Sequence, residues 1–169
     1  MAKKVALGVV LILAAALLQS TLLSRLVVYI YAAPDIALCI LVFAAYANGT
    51  MTGQLTGFIS GFFVDFLSAS PLGLNAFIRT IVGALTGLLK DTFYLDIIFL
   101  PMVLCAAATA FKALTLFLLH LFFPDTVPSY SLLTLTFWIE IAFNTLLAPL
   151  LFAFLKLFRP LYPRRRENT

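Results

Sequence analysis

Six apolar stretches, each close to the length of a membrane crossing, follow one another along this chain with only turn residues between them. They cover roughly residues 5–23, 33–47, 50–67, 74–89, 97–122 and 132–157. Soluble domains are roughly half apolar and a quarter charged. This chain of 169 residues is 63% hydrophobic and 11% charged, with a mean hydropathy of +1.11. The expected fold is therefore an all-α integral membrane protein, a six-transmembrane-helix bundle forming a single polytopic domain over residues 1–169. About 15 residues make the second stretch shorter than the roughly 20 a crossing needs, and Pro34 either opens that helix or kinks it.

The charges are distributed as topology signals. With six crossings, Lys3, Lys4, Lys90, Lys156, Arg159, Arg164, Arg165 and Arg166 fall on one side and Arg25 on the other. Both termini are thus expected in the cytoplasm. The Arg164 to Arg166 run is a topology anchor or a site for anionic headgroups. With 17 Phe and 1 Trp, and with the cations at ends and connections, nothing resembles a nucleic-acid stripe. Lys3 and Lys4 ahead of an apolar run resemble a signal peptide, but Ala14 to Ala16 lie inside the run, so an uncleaved first span is expected. Cys39 and Cys105 sit in apolar runs without a CxxC and are expected to be buried hydrophobes.

Connections as short as Asn48 and Gly49, or Ser68 to Gly73, force neighbouring helices antiparallel. Pro124, Asp125 and Pro128 break the chain between the fifth and sixth stretches. Gly53, Gly57 and Gly61 recur at spacing four beside Ser60, a bare ridge that either packs another helix of this chain or receives a partner's helix. Gly83 and Gly87 repeat the pattern.

Ionisable groups within apolar spans are costly and need partners or water. In an antiparallel hairpin Asp65 and Arg79 reach similar depth, which suggests an ion pair, and so do Lys112 and Glu140, within about 4.5 Å along the axis. The alternative is that these four groups line an outward cavity for a polar solute. His120 is expected as an outer polar anchor. In the turn, Pro71 fixes a dihedral, Gly73 permits a left-handed residue and Asn75 is positioned to cap the fourth helix. No P-loop, HExxH, dinucleotide fingerprint or Gly-x-Ser-x-Gly is present, so neither enzyme activity, metal nor cofactor is expected.

The segment from Pro34 to Leu89 resembles the MreD family of rod shape-determining proteins. The resemblance rests on Pro34 and Asp35 opening an apolar span, on the ladder Gly53, Gly57 and Gly61 with Asp65 four residues on, and on the run from Ser70 to Ala76. It implies a non-enzymatic, multi-pass component of the bacterial inner membrane in the cell-wall elongation complex. The implied partners are MreC, MreB, RodA and a class B penicillin-binding protein. On this reading Gly53, Gly57, Gly61, Ser70, Pro71, Gly73 and Asn75 are the expected partner-binding residues. In fold the family also resembles the substrate-binding subunits of energy-coupling-factor transporters, which implies a vitamin-type solute-binding subunit as the alternative.

Overall fold

The computed structural model describes residues 1–23, 34–68, 70–90, 92, 98–130 and 133–157. Among the described residues there are six α-helices: α1 (Ala2–Leu18), α2 (Ile36–Asn48), α3 (Thr50–Leu67), α4 (Leu74–Leu88), α5 (Phe99–Phe122) and α6 (Leu135–Leu155), with a π-helical turn at Gln19–Leu23 closing α1. Arg25, Arg159 and the Arg164 to Arg166 run lie outside the described residues. Each expected helix is found, its ends within three residues of where the apolar runs placed them once the π-helical turn is counted with α1.

By length and composition three segments are able to cross a membrane: Ala2–Thr21, Phe99–Phe122 and Leu135–Leu155. The expectation of six full spans thus finds three helices of that grade among the described residues, with α2 and α4 short and α3 interrupted by glycines and polar residues. The outward faces are apolar, as lipid requires: Phe58, Phe62 and Phe66 stand in a ladder on α3, and Leu146, Leu150 and Phe154 line α6, all largely exposed.

The centre of the bundle is the shortest of the described α-helices. At 13 residues α2 is about 20 Å long, against a hydrocarbon core of about 30 Å. Ten of those residues are buried, because a helix that is apolar all round has no solvent face to present. Each of the other five helices packs against it. Phe43 of α2 meets Phe152 of α6 edge to face at 5.1 Å. Cys39 and Cys105 are buried free thiols, as small hydrophobes would be.

The most extensive contact joins α3 to α4, and glycine makes it possible. A Cβ on Gly57 would stand 2.2 Å from the Arg79 carbonyl oxygen, and one on Gly53 would stand 2.3 Å from that of Gly83. Gly61 similarly meets Ala76 and Asn75, and Gly87 meets Thr50. The two backbones touch along their length, so dispersion contact replaces the side-chain burial that lipid does not reward. Of the two readings of the ridge, the structure adopts internal packing: α4 covers Gly53, Gly57 and Gly61, leaving no bare ridge for a partner's helix.

Candidate functional site

A helix that starts inside the bundle must satisfy its first amides without water. α2 does so through Asp35, whose carboxylate accepts from the Leu38 amide at 2.9 Å while its own N–H donates to Asn144 Oδ1 at 2.8 Å. The preceding carbonyl, of Pro34, accepts from Gln19 Nε2. The carboxylate also suits the positive end of the helix dipole.

That anion organises a polar cluster drawn from four helices. Lys112 of α5 lies between two carboxylates, 2.8 Å from Asp35 and 2.6 Å from Glu140 of α6. Arg79 of α4 approaches Asp35 at 3.6 Å. Tyr130 donates its hydroxyl to the second oxygen of Glu140. Asn144, fully buried, donates to Thr109 of α5, whose hydroxyl in turn donates to the Cys105 carbonyl. Glu140 and Asn144 lie one turn apart on α6, as Thr109 and Lys112 do on α5, so helical periodicity puts both pairs on facing sides. Two cations face two anions, which is how charge is accommodated at such depth. Arg79 Nη1 alone among these donors has no partner within the described residues.

Lys112 and Glu140 are therefore joined, but Asp65 and Arg79 are not. Asp65, buried at the end of α3, accepts from the backbone amides of Gly73, Asn75 and Ala76 and from the Asn75 side chain, at 2.9 to 3.1 Å. It caps α4 from across the hairpin, where the free amides of a helix start offer donors to an anion. Asn75 consequently acts as a donor to Asp65 and Ser70, and Gly73 occupies the cap position. Gly73 is left-handed at φ 93°, as the turn required. Gly73 and Asn75 are thereby tied to Asp65, and Ser70 to Asn75, within the turn that also holds Pro71.

Ser70 and Pro71 also wall an open pocket of about 570 Å³ with His120 and the α5–α6 loop from Pro124 to Ser129. His120 Nδ1 lies 2.7 Å from the Val127 carbonyl and braces that loop. Asp65, Arg79, Lys112 and Glu140 are absent from the pocket wall; each engages the protein itself. Among the described residues no group of three or more His, Cys, Asp or Glu is placed to hold a metal.

Asp35, Tyr130, Asn144 and Thr109 were not singled out by sequence as members of the site. The signals were present: Asp35 directly precedes an apolar run, where an N-cap belongs, and Asn144 interrupts an apolar run one turn after Glu140.

Fold and cluster together define a helical membrane protein whose intramembrane charges are spent on its own architecture. A family model described as rod shape-determining protein MreD matches residues 2–158, a stretch that includes every described helix. The chain belongs to that family. No curated protein and no solved structure matches it.

Proposed function

We propose that the chain is a non-enzymatic scaffold of the cell-wall elongation machinery in the bacterial inner membrane, with both termini cytoplasmic. In this reading it crosses the membrane six times, the shorter helices doing so within the shelter of the longer ones. MreC is the direct partner, and through it MreB, RodA and a class B penicillin-binding protein. The observation that carries the reading is the family match over residues 2–158. The geometry adds support: the charged groups are engaged in holding helices together, which suits a part that presents a fixed surface to others.

The docking surface in this proposal is the outer face, formed by the turn from Ser70 to Asn75 and the loop from Pro124 to Ser129 around their shared pocket. That turn is rigid through Asp65, so little ordering entropy is lost when a partner seats on it. Gly53, Gly57 and Gly61 enter only indirectly, by fixing the α3–α4 hairpin that carries the turn.

The test is recovery of MreC with the full-length chain from cross-linked native membranes, for the unmodified protein and for Pro71→Arg and Thr126→Arg. Recovery should fall at least tenfold in both variants at unchanged thermal stability, and depletion of the chain should turn rods into spheres. If MreC is recovered equally with all three proteins, the outer face is the wrong surface. If it is never recovered, or shape survives depletion, the scaffold reading fails.

A further inference from the structure

An apolar groove of about 700 Å³ lies between the first half of α1 and the neighbouring stretch of α3, and no residue of the polar cluster lines it. Ala2, Ala6, Val9 and Val10 form one wall and Leu55 and Ile59 the other. Ala2 and Ala6 leave it open by their small size, while Gly8, on another face of the same helix, brings α1 against Thr56 of α3. The groove's length decides what fits. From Ala2 to Val10 α1 rises about 12 Å, close to the depth of one leaflet in a hydrocarbon core of about 30 Å. A partner's transmembrane helix needs a track through both leaflets; a single acyl chain needs only one.

The open end of the groove carries charge. Lys3 is exposed and stands at i, with Ala6 and Val10 at i+3 and i+7, so it shares a helix face with the Ala6 and Val10 edge of the groove. Lys4 is rotated about 100° away, on the side of Gly8 that packs into the bundle. No acidic residue lies in the first turn of α1.

We propose that this groove is a site for an anionic phospholipid of the leaflet at the Lys3 end, one acyl chain lying between α1 and α3 and the phosphate held by Lys3. The hollow supplies chain contact that any lipid would gain, and Lys3 selects the headgroup.

The experiment is native mass spectrometry of the purified full-length chain exchanged into equimolar phosphatidylglycerol and phosphatidylcholine. The unmodified protein should retain one lipid with phosphatidylglycerol in excess. Lys3→Gln should cut that excess by about fivefold, the ratio equivalent to the roughly 1 kcal/mol that one cation contributes near an anionic surface. Lys4→Gln should leave it within about twofold of the unmodified ratio. Ala6→Trp, which fills the hollow from a lipid-facing position, should abolish retention of both lipids. Equal headgroup ratios in the Lys3→Gln variant and the unmodified protein, or equal losses from Lys3→Gln and Lys4→Gln, would overturn the assignment to Lys3. Full retention in Ala6→Trp, or a photo-crosslinker at Ala6 that captures a polypeptide and no lipid, would overturn the groove as a lipid site.

Discussion

Asp35→Asn isolates the charge at the centre of the cluster. Asparagine keeps the size of the side chain and an oxygen that can still accept from the Leu38 amide, so the cap survives. What disappears is the anion facing Lys112 at 2.8 Å and Arg79 at 3.6 Å. Glu140 still neutralises Lys112, which leaves one cation of the cluster without a counter-charge in the bundle interior. Removing one partner of a buried pair costs about 3 to 5 kcal/mol, whereas a neutral interhelical hydrogen bond in a membrane averages about 0.6 kcal/mol. At roughly 2 to 4 °C per kcal/mol for a chain of this size, Tm should fall by roughly 6 to 20 °C. The assay is the fraction of purified protein that stays monodisperse in mild detergent after heating. Adding Arg79→Gln removes the surplus cation, so the double variant should regain more than half of the loss. A shift below about 2 °C for Asp35→Asn, or a double variant no more stable than the sum of the single losses, refutes charge balance as the organising principle.

Three further outcomes are expected. Gly57→Ala should lower stability by about 1 to 3 kcal/mol in the same thermal assay, since its Cβ would meet the Arg79 carbonyl at 2.2 Å, while Gly73→Ala, with open space but a φ of 93°, should lose about 1 to 2 kcal/mol; a Gly57→Ala variant as stable as the unmodified protein would contradict the packing of α3 on α4. The charge swap Asp65→Arg with Arg79→Asp should fail to restore what Asp65→Arg loses, because Asp65 serves backbone amides; recovery of Tm in the swap would show a direct pair instead. An impermeant thiol reagent should label Asp125→Cys on intact cells and Lys156→Cys only after permeabilisation, with Cys39 and Cys105 silent because they are buried; labelling of both from one side would overturn the proposed topology.

Much of the fold was legible because apolar runs and helix-breaking residues are local. Pro34 with Asp35, Asn48 with Gly49 and the run from Ser68 to Gly73 marked helix ends without reference to the rest of the chain. The Lys112 and Glu140 contact was legible for a related reason: a hairpin makes depth a simple count from the shared loop. The same count misled at Asp65 and Arg79, since equal depth says nothing about rotation about the helix axis, and free amides of a nearby helix start compete for the carboxylate. The ionic role of Asp35 escaped notice because its partners lie 44 and 77 residues away, on helices whose adjacency to α2 is a product of the whole bundle. The glycine ridge was visible in sequence, but a ridge carries no mark of whose helix will cover it.

The balance of two cations against two anions has an electrical consequence. Carrying one elementary charge through a membrane at 100 mV involves about 2.3 kcal/mol, enough to tilt many conformational equilibria. A cluster whose formal charges sum to zero gives that field almost nothing to pull on. In the proposed topology a bundle built around it should keep its shape as a cell energises or de-energises its envelope, so a partner on the proposed outer face would meet the same surface throughout.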